Sequence, residues 1–353
     1  MPTPTIPAGN LFMNATLYTG NGTTQTITNG VAGASFQPDL VWGKDRTNSA
    51  NHGVIDVNRG ISNWLGPNVT NAEGVVSGSY VTAFNSNGFT VGTGGVYNAS
   101  GDNYVAWNWK AGGAATTIAI GQYSTSPNVP SIASSVSANT TSGFSVVTYT
   151  GTGANATVGH GLGVAPSMVI IKNRTVAATA WNVYQSSIPS SNLLSLNSTV
   201  ASFANTNRIT AVSATTFSIG TDSDVNGSTN SHVAYCWTPI AGYSAFGSYT
   251  GNGSADGPFI YLGFRPKFFM MKNTSAGTQW GMFDSSRFSY NGMNNPTLYA
   301  NVADAETSNS ENYGDFLSNG FKIRATNGNI NGSGNTIIYM AFAEVPFKFA
   351  NGR

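Results

Sequence analysis

Phe144-Ser145-Val146-Val147-Thr148-Tyr149-Thr150-Gly151-Thr152-Gly153 reads as one β-strand delivered into a glycine turn. Phe144, Val146 and Thr148 alternate with Ser145, Val147 and Tyr149, the period of two that sends successive side chains to opposite faces. Its last five residues, Tyr-Thr-Gly-x-Gly, return at Tyr18 to Gly22 and at Tyr249 to Gly253. Such a recurrence decides whether the chain is one large fold or one small fold used several times, so it is followed outward first.

Three further anchors accompany it. A proline, a short apolar run and a lysine six positions after the proline read Pro38, Leu40, Val41, Trp42, Lys44, then Pro166, Met168, Val169, Ile170, Ile171, Lys172, then Pro266, Phe268, Phe269, Met270, Met271, Lys272. Eight or nine positions later stands His52, Trp181 or Trp280. Next come Gly88, Phe89 and Val91, Phe217 and Ile219, and Gly320, Phe321 and Ile323. The last anchor is an aromatic-rich strand around an alanine, aligned as Tyr104-Val105-Ala106-Trp107, His232-Val233-Ala234-Tyr235 and Tyr339-Met340-Ala341-Phe342. Four anchors in one order, three times, predict three tandem copies of one domain. Their blocks are 1–113, with a short N-terminal arm, 144–242 and 243–353, with 114–143 as a Ser/Thr/Pro-rich linker or an arm lying on a neighbour.

The apolar runs are short and bounded by Gly, Pro or Asn-Gly, which argues for strands. The run after each proline is continuous, the pattern of a central strand buried on both faces, and the proline sits where its missing N–H does no harm. Asn87-Gly88 and Asn319-Gly320 suit hairpin turns. The expected fold is all-β, three β-sandwich (jelly-roll-like) repeats of about 100 residues. A helical turn is expected near Asn63 to Ala72 and near Ser187 to Leu196.

Only 8% of residues are charged and the net charge is +1, against about 25% charged in ordinary soluble proteins. That excludes broad electrostatic capture of nucleic acid or anionic membrane. The aromatic share of 12% excludes disorder. A single cysteine, Cys236, excludes a disulfide scaffold. No apolar run reaches a membrane span, and the first ten residues, with Pro2, Pro4 and Pro7, are not those of a signal peptide. Synthesis in a cytoplasm without membrane insertion is expected.

Little in the sequence reads as catalytic. Lys44, Lys172 and Lys272 are binding candidates, weighed against strand-end lysines that snorkel to a carboxylate. Asp56 with Arg59 and Asp284 with Arg287 repeat an Asp-x-x-Arg spacing that Gln185 and Ile188 break in the second copy, which suits a salt-bridged turn. His232 takes the slot of Tyr104 and Tyr339 in the alignment, hence a packing role, and with Cys236 it makes only half a zinc site. Asp222, Asp224 and Asn226 open like an EF-hand loop, but Val233 stands where its Glu belongs. Tyr97, Tyr123, Tyr290, Tyr299 and Tyr313 lie among Asn and Gly and are candidates for stacking on sugars. Asp304 with Glu306, or Glu311 with Asp315, are the carboxylates a glycosidase reading would use. Neither a cofactor nor a resident metal is expected.

The stretches Leu17 to Thr24, Phe36 to Arg46, Tyr104 to Gly113 and Tyr149 to Arg174 resemble a repeated, largely uncharacterised β domain of tail-fibre and other structural virion proteins of marine tailed phages. The resemblance implies a non-enzymatic virion-surface protein of tail-fibre or receptor-binding type. Its partners would be other virion proteins, further copies of itself as a trimer, and a host-surface glycan. It carries no catalytic residue to this chain, which lacks a fibrous stalk, so capsid decoration is the alternative. A polysaccharide depolymerase is the rival of another class, and a secreted adhesin is disfavoured by the N-terminus.

Overall fold

The computed structural model describes residues 9–31, 34–123, 129–204, 207–287, 291, 295–309 and 314–344. It is an all-β protein. Each block holds a large antiparallel sheet whose strands lie in the order opening, closing, central, return. The opening strands are Met13–Thr19, Phe144–Thr150 and Ser244–Thr250. The closing strands are Asn103–Trp109, Ser231–Trp237 and Thr336–Ala343. The central strands, Leu40–Asp45, Met168–Asn173 and Pro266–Asn273, are the apolar runs that follow each proline. The return strands are Gly53–Asp56, Asn182–Gln185 and Trp280–Asp284.

A three-stranded outer sheet accompanies each large one. Its edge strand is Gln25–Thr28, Ala156–Gly159 or Phe259–Tyr261, and its middle strand, Gly88–Val91, Thr216–Ile219 or Gly320–Ile323, carries the Phe anchor. Packing of the two sheets makes a sandwich. In the first block Ile27, Phe89 and Val91 of the outer sheet meet Val41, Ile55 and Ala106 of the large one. In the second block Val158, Phe217 and Ile219 meet Val169, Ile171 and Ala234.

The other face of every large sheet points into one common core. Trp42, Trp107 and Trp109 of the first block, Trp181, Tyr235 and Trp237 of the second, and Trp280, Met340 and Phe342 of the third belong to it. Trp109 sits edge-on to Trp237 (centroids 6.2 Å apart) and to Phe342 (5.7 Å). Central strands therefore contain continuous apolar runs, because one face meets its own outer sheet and the other meets the neighbouring blocks.

Three expectations need correction. The stretch 114–143 is no bare linker: Thr116–Ile118 and Ser134–Asn139 extend the second large sheet, Ser134–Asn139 pairing antiparallel with Phe144–Thr150. No helical turn forms at Asn63 to Ala72 or Ser187 to Leu196. Those regions hold the strands Asn63–Trp64 and Asn192–Ser195, and Leu193 and Leu194 are fully buried as sheet residues. The short helices Gly95–Asn98, Ser223–Asn226 and Gly328–Asn331 instead precede each closing strand.

The third correction concerns register. Lys44 lies across from Val105, Lys172 from Val233 and Lys272 from Ile338. The slot of Tyr104 and His232 is thus Ile337, and Tyr339 takes the slot of Ala106 and Ala234, two residues away from the sequence alignment. The bulk of Tyr339 is accommodated because Gly247 lies opposite it; a Cβ there would come within 2.6 Å of the Tyr339 hydroxyl.

Candidate functional site

The chain's polar chemistry is concentrated where the blocks meet, and the contacts run in a cycle. Second to first, the Trp181 Nε1–H donates to the Gly66 carbonyl (2.9 Å) and the Arg174 guanidinium clasps Glu73 (2.7 Å). Third to second, the Trp280 Nε1–H donates to the Ser195 carbonyl (2.9 Å) and the Ser202 N–H to the Thr274 carbonyl (2.9 Å). First to third, His52 Nε2 bonds the Tyr299 carbonyl (3.1 Å) and Arg46 clasps Glu306 (2.6 Å). Three like joints close a ring of three blocks within one chain.

Two joints contain the repeated Asp-x-x-Arg. Arg59 Nε bonds Asp56 (2.5 Å) and Arg287 Nε bonds Asp284 (2.6 Å), all four side chains fully buried. Each Asp also accepts from the neighbouring block: the Tyr235 hydroxyl donates to Asp56 (2.7 Å) and the Trp107 Nε1–H to Asp284 (3.0 Å). The residue in that slot of the third block, Met340, has no proton to donate, and the matching pair is Gln185 and Ile188. Gln185 Nε2 donates instead to the Gly247 carbonyl of the third block (3.4 Å).

Lys44, Lys172 and Lys272 are fully buried and do not snorkel. Lys44 Nζ donates to the Asp45 and Asn48 carbonyls. Lys172 Nζ reaches the Asn173 carbonyl and, more weakly, that of Thr70 in the first block. Lys272 Nζ reaches the carbonyls of Thr278 (2.8 Å) and of Thr199 in the second block (3.0 Å). Burial lowers all three ammonium groups to about 8. They tie loops at the joints rather than face a ligand. Tyr97 is likewise buried beneath its outer sheet. Tyr299 is half-buried, and Tyr123 is 36% exposed at a positive φ of 69°. Tyr290, Tyr313 and Glu311 lie outside the described residues.

The calcium reading of Asp222, Asp224 and Asn226 is not what the structure supports. Arg208 takes up both carboxylates, through Nε to Asp222 (3.0 Å) and Nη2 to Asp224 (3.2 Å). Asp222 also caps its helix by accepting the Asp224 N–H. Asn226 is a latch: Oδ1 accepts the Thr152 N–H (2.8 Å), and Nδ2 donates to the carbonyls of Ala154 and Gly220. Asn98 and Asn331 make the same three bonds, to Asn21, Thr23 and Gly92 and to Asn252, Ser254 and Ala325.

This latch explains Tyr-Thr-Gly-x-Gly. The Tyr18, Tyr149 and Tyr249 hydroxyls donate to carbonyls of the short helices at 2.8, 2.6 and 2.6 Å. The x residue gives its N–H to the latch asparagine. The second glycine has φ near 70°, at Gly22 (71°), Gly153 (74°) and Gly253 (66°), a region unfavourable for side chains. The asparagine is a fifth anchor missed in the sequence, although Asn98, Asn226 and Asn331 each stand six residues before the Tyr104, His232 and Ile337 slot. Asn226→Ala breaks three bonds, the one to the Gly220 carbonyl fully buried, and is expected to cost about 2 kcal/mol, read as a lower urea midpoint with an unchanged m-value.

His232 stacks on Tyr149 (5.1 Å, 11°) as Tyr104 stacks on Tyr18 (5.2 Å, 14°). His160 bonds the Ser213 carbonyl, and Trp42 Nε1 donates to His52 Nδ1 (2.9 Å). Burial lowers all three imidazoles, His52 to about 3 and His160 and His232 to about 4. Burial raises the Cys236 thiol far above its usual range. Each ring therefore holds a proton less readily folded than unfolded. The contribution of the three rings to stability should be level above pH 6.5 and fall as pH drops from 6.5 towards 4, by up to about 1.4 kcal/mol per pH unit for each ring. Urea midpoints at pH 7 and pH 5 measure this; equal midpoints would contradict it.

Surface grooves of about 330, 350 and 570 Å³ are lined mainly by hydroxyls, amides and glycines, among them Thr117, Ser135 and Thr148, Gln37 and Asn139, and Asn155 and Ser218. The second contains a carboxylate, Asp39, beside Lys110. Of the glycosidase candidates, Glu306 is bound to Arg46 and Arg287, and Asp315 to Arg324. Among the described residues no three His, Cys, Asp or Glu side chains gather as a metal site. No helix described is long and apolar enough to cross a membrane.

A family model described as a domain of unknown function matches residues 8–346, so the matched unit takes in all three blocks. No curated protein matches the chain.

Proposed function

The chain belongs to the DUF7483 family, a domain of unknown function, and from that premise we propose that it is a non-enzymatic structural protein of a tailed-phage virion surface that works by binding. One observation carries this reading: the cyclic joints spend recurring polar side chains of each block on holding three blocks together. Lysines, Asp-Arg pairs and latch asparagines are buried scaffold, and the three grooves described offer mainly hydroxyls and amides. That suits adhesion.

Within this reading a closed ring favours capsid decoration over an extended fibre. One chain with pseudo-threefold form can seat on a threefold or sixfold site of a particle. Labelled protein is therefore expected to bind expanded heads of the encoding phage and to ignore host cells. Saturable binding to cells with none to heads would move the role to receptor binding; release of reducing ends from host polysaccharide would sink the non-enzymatic reading.

A further inference from the structure

The outer sheets of the three blocks share one fold but not one surface. Their inward residues recur: Ile27, Val158 and Ile260 on the edge strands lie across from Phe89, Phe217 and Phe321. The residues on either side of them point outward, by the alternation of a strand. Those outward positions hold Thr26 and Thr28 in the first block and Thr157 and Gly159 in the second. In the third they hold Phe259, 43% exposed, and Tyr261, 57% exposed. The scaffold does not require rings there, because two of the three blocks manage without them. Single exposed aromatics are ordinary. Two on one face of one strand, about 7 Å apart along it, make a platform.

Register fixes what surrounds the rings. Phe259 lies across from Lys322, and Lys322 from Asp315. Tyr261 lies across from Gly320, where a Cβ would come within 2.8 Å of the Phe259 ring. The Phe259 ring therefore rests against bare backbone. Lys322 Nζ bonds Asp256 (2.7 Å), Arg324 Nε bonds Asp315 (2.7 Å), and Arg324 Nη1 lies 3.8 Å from Asp256. The position of Lys322 is Thr90 in the first block and Ser218 in the second. Charged residues are 8% of the chain, so four in one network are a concentration. Unlike the pairs at the joints, these bonds lie within one block.

Two carboxylates and two cations leave the rim of the platform without net charge. A polyanion gains its affinity from cations that are not already paired, so neither it nor a polycation is the complementary ligand. The complement is a neutral molecule with apolar faces for the rings and hydroxyls for a rim that both donates and accepts. A saccharide has both, with C–H groups on the faces of each sugar ring and hydroxyls around its edge.

We propose that the outer sheet of the third block binds a neutral saccharide, stacked on Phe259 and Tyr261 and hydrogen-bonded by Asp256, Lys322 and Arg324. This deepens the reading of the chain as a binding protein and rests on it only to that extent. One open platform binds weakly, so the soluble chain is still expected to ignore host cells.

Amide NMR spectra of the full chain, titrated to near-millimolar cellohexaose, xylohexaose or mannohexaose, test it, with a heparin hexasaccharide as the anionic counterpart. At least one neutral sugar should shift the Phe259, Tyr261 and Lys322 amides saturably. The Thr26 and Thr28 amides, at the matching places in the first block, should not move. Phe259→Thr and Tyr261→Thr introduce the residue that the first block already carries there. Each should weaken binding about tenfold, and together they should abolish it with an unchanged urea midpoint. Phe259→Tyr and Tyr261→Phe keep the rings and should keep binding. The double threonine variant should still bind expanded heads, so that loss of the saccharide site and failure of the virion reading are told apart. No shift with any of the three neutral sugars, shifts with the heparin fragment alone, or equal binding by the double threonine variant would overturn the proposal.

Discussion

Residues 144–242 expressed alone should fail to fold, although they contain every strand of the second sandwich except the flanking Ser134–Asn139 and Thr116–Ile118. The inner face of its large sheet presents Phe144, Val146, Met168, Ile170, Trp181, Tyr235 and Trp237, all buried in the common core. Separated from its neighbours, that face meets water. At about 1.5–3 kcal/mol for each large side chain, even half of the lost burial is of order 5–10 kcal/mol, comparable with the whole stability of a domain at about 5–15 kcal/mol. The Tyr235 hydroxyl and the Trp181 Nε1–H lose their partners in the first block as well. The expected product has collapsed amide dispersion and no cooperative urea transition, while the full chain unfolds in one step. A cooperative transition from the isolated block would show that the common core is dispensable. Extending the piece to start at residue 114 restores the edge strands but not the core, and should not rescue it.

That cooperativity explains what the sequence made legible. Strands were readable because period-two alternation and glycine turns are local. The central strands were readable as doubly buried because continuous apolar runs such as Met168 to Ile171 leave no polar face. What covers the second face was not readable, since Trp107 and Asp284 are brought together from 177 positions apart. The lysines misled for the same reason: Lys272 looks like a strand end beside water until Thr199 of another block arrives to accept from it. The latch asparagines were hidden by composition, because one more Asn before a glycine is unremarkable in this chain. The register slip at Tyr339 came from matching a short aromatic motif where the pairing partner, Gly247, decides the alignment. Asp222 and Asp224 read as a metal loop because Arg208, fourteen residues before Asp222, was not yet beside them.

Asp284→Ala should destabilise the full chain by about 3–5 kcal/mol, the usual cost of removing one partner from a buried ion pair. Arg287 is fully buried, and its Nε and backbone N–H both bond the Asp284 carboxylate. Glu306 still reaches Arg287 Nη1 (2.9 Å) but is shared with Arg46. The Trp107 Nε1–H loses its acceptor in the same stroke. A purely structural account of this joint makes a second, sharper demand. The second block manages the same place with Gln185 and Ile188 where the facing slot holds Met340. Combining Trp107→Met, Asp284→Gln and Arg287→Ile should therefore recover most of the stability lost in Asp284→Ala, because no buried charge or stranded donor remains. Contacting residues couple non-additively, so the triple variant has to be measured rather than summed from the singles. Urea midpoints of the two variants decide it. If the triple variant is less stable than Asp284→Ala, the ion pair does something at this joint that an apolar contact cannot replace.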